Sequence, residues 1–347
     1  MPTQGDCSYN PCLFIAKGTQ MKITRKTLYS LSILGIAALL VIVVNNTGGT
    51  KIKDLTLATH DSFVMNAAQI KDFNRKTGYN LKIVKLGDAG NLTNKLVLTK
   101  DSPVADAAFG IDNSFAGVAT KAGIIDGKLV AADYGDVCFN YDRTWFDSRK
   151  IEAPTSVRDL VKPLYKGLTV IENPNTSSTG LSFLAASVEI FGAQGWPTFW
   201  KNLKANDIKV DDGWEVAYYT DFSGSSGKGA YPIVLSYATS PADEVRADGK
   251  SQTVAITDGC FRQTEYVGIL QNAKNPQGAE KLIEFLLSPD FQKTFPTAMY
   301  MYPAVTGVEI PVSWATFAGK TDRTYGDSLN INANRKTWLS TWSEIFG

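Results

Sequence analysis

Carboxylates and aromatic rings collect where short apolar runs of this chain give way to polar turns. Asp61, Asp88, Asp112 and Asp243 stand at such ends, and so do Trp214, Tyr218, Tyr219, Tyr237, Tyr300 and Tyr302. Aromatic faces combined with carboxylates, and no basic side chain among them, suit an organic cation. A desolvated cation–π contact contributes about 2 kcal/mol or more. Any one of the tyrosines, taken alone, is better explained as core; the grouping with acidic ends is what favours a ligand. A second polar stretch, Asn173 to Gly180, brings the hydroxyls of Ser177 and Ser178 to the start of a predicted helix. Such a start either receives a neutral or anionic group or simply caps its own helix.

Other chemistry is poorly supplied. His60 is the single histidine of the chain, and no Ser/His/Asp or Cys/His set is suggested by spacing. The run Gly224-Ser225-Ser226-Gly227-Lys228-Gly229 departs from a phosphate-binding loop at both ends. Phe222 stands where the first glycine is needed, and Gly229 where Ser or Thr must follow the lysine. No Cys-x-x-Cys or His-x-x-x-His pair offers a zinc site. The chain is therefore expected to be no enzyme, with no catalytic residue, resident metal or cofactor. A net charge of +1 without a basic stripe argues against nucleic acid, which needs clustered Lys and Arg.

The elements that would position these residues alternate between strand and helix, the pattern of an α/β fold. Strands are predicted at Leu55–Thr59, Leu81–Leu86 and Ala105–Ile111, each releasing polar residues at its C-terminal end, where open α/β sheets bind ligands. A long strand, Tyr134–Tyr141, then breaks the rhythm. A new series follows, with strands at Leu168–Ile171 and Pro232–Tyr237. A second long strand, Phe261–Leu270, and an amphipathic helix, Gly278–Leu287, close it. Two lobes joined by two crossing strands satisfy this order: residues 51–137 with 266–347 in one, and 138–265 in the other. Such a pair can hinge shut on a ligand. Cys138 and Cys260 each lie within a strand-like run, and either a disulfide or two separate buried thiols is compatible with the sequence.

Lys22, Arg25 and Lys26 precede an apolar run at residues 28–44, and a polar linker follows to residue 50. A basic flank before an apolar core marks an export segment, either an uncleaved signal anchor or a cleaved signal peptide, and Met21 is an alternative start. Positive-inside logic puts the bulk of the chain outside the cytoplasm, in the periplasm or at the cell surface.

Across nearly all of the exported region the sequence resembles the periplasmic thiamine-binding proteins of ABC importers, within the type II solute-binding fold. The resemblance rests on Thr59-His60-Asp61-Ser62-Phe63, Gly110-Ile111-Asp112-Asn113, Asp133-Tyr134-Gly135 and Ser177-Ser178-Thr179-Gly180-Leu181. It continues through Gly213-Trp214, Leu235-Ser236-Tyr237-Ala238-Thr239-Ser240-Pro241, Pro296-Thr297, Met301-Tyr302-Pro303 and the closing Arg335 to Trp342. It implies a monomer that carries thiamine or a thiamine phosphate to an importer permease and its ATPase. Trp214 and Tyr237 would supply rings, and Asp61 and Asp88 would balance the thiazolium or bond the aminopyrimidine. Ser177, Ser178 and Ser240 would meet the hydroxyethyl end or its phosphate, and Tyr300 falls where the family often has Trp. His60, Ser62 and Asp112 complete the expected ligand-binding set. His60 replaces a family Tyr, Asp243 an aromatic, and Ala67 a bulky aromatic; a protonated His60 beside a cation would make binding pH-sensitive. Within the same fold, His60, Asp88, Tyr237 and one of Tyr218 or Tyr219 could instead mimic a ferric-iron set, since hard cations favour oxygen ligands supplemented by imidazole. A thiamine-degrading enzyme would need a Cys nucleophile in the cleft, whereas Cys138 and Cys260 fall in the long strands. A polyamine binder is a further reading.

Overall fold

The computed structural model describes residues 53–347 apart from Gly227 and Asp327. The expected export segment, apolar run 28–44 included, lies outside the described residues, among which no helix is long and apolar enough to cross a membrane.

Strands β1 (Lys53–Thr59), β2 (Tyr79–Lys85) and β3 (Ala107–Asp112) pair in parallel in the order β2-β1-β3. Helices α1 (Ala67–Thr77) and α2 (Ala89–Leu98) provide the crossovers, as parallel strands require. Helix α1 is bounded by side-chain chemistry. The Asn66 side chain accepts from Gln69 N, the Gln69 side chain accepts from Asn66 N, and Gly78 ends the helix in the left-handed region, a capping box and a glycine stop. Every residue of β3 is buried, as befits a strand covered on both faces.

After helix α3 (Ala116–Ala122) comes β4 (Ile125–Asp142), and its partner β8 (Thr253–Leu270) is equally long at 18 residues. They pair antiparallel through most of their length. Both exceed the predicted strands at one end. Asp126-Gly127-Lys128 and Thr257-Asp258-Gly259 interrupt the apolar pattern, and the ladder shifts register around both, resuming with Val130 opposite Val267 and Phe139 opposite Ile256. Beyond this pair β5 (Thr169–Glu172), β6 (Lys209–Asp211) and β7 (Ile233–Tyr237) form a second parallel set. The single sheet runs β2-β1-β3-β8-β4-β7-β5-β6, with the two-residue β9 (Tyr302–Pro303) on β4.

Helix α4 (Ser178–Ala205) is broken at Gly192, where φ is 69°. Its first turns lie so close to β5 that a Cβ on Gly180 would fall 2.4 Å from the Glu172 carbonyl oxygen. Helix α5 (Pro276–Leu286) buries Ala279, Leu282 and Leu286, an i, i+3, i+7 stripe, and α6 (Ile331–Phe346) ends the chain. The sequence left the cysteines undecided; Cys138 and Cys260 are bonded across β4 and β8, with Cα atoms 4.6 Å apart. The bond closes a sequence separation of 122 residues, and a loop of that size constrains the unfolded chain strongly. Replacing both cysteines by Ala should cost about 2–5 kcal/mol of stability, read from urea denaturation. An unchanged midpoint would mean that the protein does not carry the bond.

Candidate ligand-binding site

The C-terminal ends of β1, β2, β5, β6 and β7 lead into one narrow cavity. His60, Ser62, Asp88, Ser178, Trp214 and Tyr237 line it, together with Ala89, Thr179, Glu265, Met299 and Met301. Its volume is about 20 Å³, room for roughly one water molecule. The walls must part to admit anything larger.

His60 follows β1, is buried, and packs against the glycine that bends β3. Gly110 has φ 95°, and a Cβ there would lie 1.9 Å from His60 Cδ2, so no larger residue fits beside the imidazole. His60 Nε2 lies 3.2 Å from Glu265 Oε2. Burial pulls the imidazole pKa down, but Glu265, with Asp88 and Asp112 behind it, more than compensates, and the pKa ends above 6.5. The charge on a protonated His60 is thus met by Glu265 before any ligand arrives. Asp133 pairs with Glu265 across β4 and β8. As a carboxylate neither of its oxygens finds a donor. Burial, and then the charge and hydrogen bond of Glu265, push its pKa well above the usual range. Burial and the neighbouring Glu265 thus both favour the protonated form of Asp133.

Asp88 caps α2, accepting from Ala89 N at 2.6 Å. The same carboxylate reaches across the cavity, accepting from Trp214 N at 2.9 Å, Ser177 Oγ at 3.1 Å and Ser178 N at 3.4 Å. Burial raises its pKa, against the pull of these donors and of His60. Asp112, at the end of β3, accepts from Ser114 N and Oγ, Phe115 N and Gln263 Nε2. Burial nonetheless lifts it to about 6. Gln263 joins the halves of the sheet: it donates to Asp112 and to Ser178 Oγ, and accepts from Tyr237 Oη at 3.3 Å.

On the aromatic side Trp214 stacks on Tyr218, with centroids 4.9 Å apart and planes 14° from parallel. Its ring lies 5.9 Å from both Tyr237 and Tyr300. The indole N–H donates to Ser236 Oγ, which is 2.9 Å from Ser240 Oγ. Tyr300, at φ 59°, meets Tyr219 hydroxyl to hydroxyl at 3.1 Å.

Of the residues singled out in the sequence, six line the cavity. Asp112, Ser177 and Ser240 form the layer behind it, and Tyr300 stands beside Trp214. Asp61 turns away: its carboxylate accepts from Gly87 N at 3.1 Å and ties two loops together. Glu265, Met299 and Met301 also line the cavity, and Gln263 bonds to Tyr237 and Ser178 of its wall, although none of the four is in the expected ligand-binding set. Glu265 and Gln263 lie within β8, away from a strand end, and the two methionines flank Tyr300. Among the tyrosines considered for iron, Tyr237 engages Gln263, Tyr218 donates to Glu244 and Tyr219 meets Tyr300; their hydroxyls go to three separate partners.

A family model described as bacterial extracellular solute-binding protein matches residues 104–328. The thiamine-binding periplasmic protein of Salmonella typhimurium is 31% identical over 311 residues, 83% of this chain and 92% of that protein. Its Escherichia coli counterpart is 29% identical over the same lengths. Among solved structures, a periplasmic thiamin binding protein superposes with a TM-score of 0.75 and 27% identity, over 86% of this chain and 98% of that one. Iron-bound HitA from Pseudomonas aeruginosa, at 20% identity and a TM-score of 0.65 over 84% of this chain and 99% of that one, shares the fold. The architecture is that of type II periplasmic binding proteins.

Because His60 is the only histidine of the chain, its ring protons report the site directly in an NMR titration. The midpoint should lie above 6.5 and fall in Glu265→Gln. A group whose folded pKa is raised stabilises fully below its unfolded pKa and loses that contribution as pH rises through the folded value. The pair should therefore weaken from about pH 6.5 upward. A wild-type midpoint at or below 6.5 would contradict the pairing.

Proposed function

The chain belongs to the bacterial extracellular solute-binding proteins, and from that premise we propose that it captures thiamine or a thiamine phosphate for an ABC importer. The observation that carries the ligand class is the composition of the cavity wall. Trp214 and Tyr237 face a side that presents Asp88 and Glu265, with Asp112 and Asp133 behind them and no Lys or Arg in the lining. A delocalised cation gains from both: rings supply cation–π attraction, and the buried carboxylates, which outnumber the single His60 facing them, gain a further counter-charge. The likeness to thiamine-binding periplasmic proteins narrows the cation to a thiazolium attached to an aminopyrimidine.

In this reading the thiazolium lies against Trp214 and Tyr237, and the aminopyrimidine is read by carboxylates of the His60 side. Met299 and Met301 add soft apolar contact. Entry requires opening, since the closed cavity is far smaller than such a ligand. The two parallel strand sets move as lobes about β4 and β8, dividing near residues 137/138 and 265/266. The contacts that break first are those of Asp88 with Ser177, Ser178 and Trp214. The protein acts outside the cytoplasm, as a monomer, held by residues 28–44 or released from them, and it binds rather than transforms its ligand.

Isothermal titration with thiamine, its mono- and diphosphate, and ferric iron tests the reading. Binding of at least one thiamine form is expected, weakened about tenfold or more in Trp214→Ala, the loss expected when a buried aromatic anchor is truncated. Heat with iron alone, and a purple charge-transfer band, would replace this reading by the ferric one.

A further inference from the structure

We infer that His60 makes capture of the cation an exchange, in which a proton leaves the imidazolium as thiamine enters; this rests on the thiamine reading above and deepens it. His60 and Glu265 both line the cavity, with side chains 8% and 6% exposed and Nε2 3.2 Å from Oε2. The ring has nowhere to retreat. Behind it stands Gly110, where even a Cβ would lie 1.9 Å from His60 Cδ2. Beside it is the Phe109 ring, with centroids 5.9 Å apart. A cation held against Trp214 and Tyr237 therefore shares one small cavity with an imidazole that cannot move away.

The charged groups that face His60 from its neighbours are carboxylates. Glu265 comes from β8, Asp88 from the start of α2 and Asp112 from the end of β3, and Asp133 of β4 stands opposite Glu265 in the ladder. Tyr237 of β7 is in the same lining. Burial first, and then these carboxylates, push its hydroxyl well above the usual range, so it stays neutral. No Lys or Arg lines the cavity. Burial by itself disfavours the imidazolium, and the attraction of Glu265, Asp88 and Asp112 is what sustains it. A fixed cation beside those carboxylates offsets that attraction and adds its own repulsion, while burial remains. The charge on the ring is then given up. One N–H bond of the imidazolium breaks, its electron pair stays on the ring nitrogen, and the proton passes to the buffer. The neutral ring keeps its other N–H. The thiazolium charge is permanent and cannot be shed in this way, so the proton is the charge that leaves.

Calorimetric titration of the full chain with thiamine, run at each pH in two buffers of different ionisation enthalpy, counts the protons released. Release should be largest at the acid end of the range of about pH 6 to 8, up to about one proton per thiamine, and fade toward the alkaline end. By linkage the dissociation constant should fall as pH rises, by up to about tenfold per pH unit, and level off above the His60 midpoint of the free protein. Ring-proton NMR reads the same event at its source, because His60 is the only histidine. With thiamine saturating, its midpoint should drop by about one unit or more. In His60→Gln, which keeps a side-chain donor for Glu265, release read above the Asp112 value of about 6 should vanish. Thiamine bound with no proton release and an unmoved His60 midpoint would overturn this inference and leave the thiamine reading intact. Release that persists undiminished in His60→Gln would also overturn it, because a carboxylic acid would then be the source. Should that variant fail to fold, the NMR shift decides alone. Failure to bind thiamine at all would remove the underlying reading, and this inference with it.

Discussion

One carboxylate holds the site in its present form. Asp88 satisfies the first turn of α2 on its own side of the cavity, and with the same two oxygens accepts from Ser177, Ser178 and Trp214 on the other. Removing such a group from water is costly, and burial accordingly raises its pKa. The geometry persists because four donors converge where the charge is. Gly213 and Gly90 make this convergence possible. A Cβ on Gly213 would come within 3.2 Å of Asp88 Oδ2, and one on Gly90 within 2.6 Å of the Thr176 carbonyl oxygen. Backbone approach and electrostatics are thus one constraint, met at a single residue.

From that constraint the rest of the site follows in layers. Trp214 is fixed at its backbone by Asp88 and at its indole by Ser236, so its ring is presented in a defined plane against Tyr218 and Tyr237. Across from it His60, Glu265 and Asp133 stand in a buried row, with His60 Nε2 3.2 Å from Glu265 Oε2 and Asp133 opposite Glu265 in the β4–β8 ladder. Gln263 crosses the floor, linking Tyr237 to Asp112 and Ser178. A wall of rings on one side and anions on the other results from ordinary satisfaction of buried polar groups, and it is the electrostatic shape that a flat organic cation fits.

Much of this was legible in the sequence, for identifiable reasons. Alternating strand and helix signals gave the α/β order, and polar residues just past Thr59, Ile111 and Tyr237 pointed to the strand ends that converge. The resemblance supplied Ser177, Ser178 and Trp214 as a set. What stayed hidden depends on long-range pairing. The first eight residues of β4 and of β8 read as polar or broken, and only their antiparallel partnership makes them strand. Glu265 and Gln263 stand in mid-strand, where local pattern gives no reason to expect chemistry; they reach the cavity because β8 lies beside β3. Asp61 has the expected type at the expected strand end, but one oxygen of its carboxylate accepts from the Gly87 amide and it is not in the cavity lining. The cysteines show the same limit, since their bond depends on a register that sequence separation does not reveal.

The central claim is that a flat cation lies between the rings of Trp214 and Tyr237 and the carboxylates around His60. A crystal structure of the protein grown with thiamine tests this most directly. The account predicts density for the ligand in this cavity, with the thiazolium within about 6 Å of an aromatic centroid and at least one of Asp88 or Glu265 in hydrogen-bond contact with it. Thiamine bound elsewhere on the chain, or in the cavity with its charged ring turned away from both rings and both carboxylates, would contradict it.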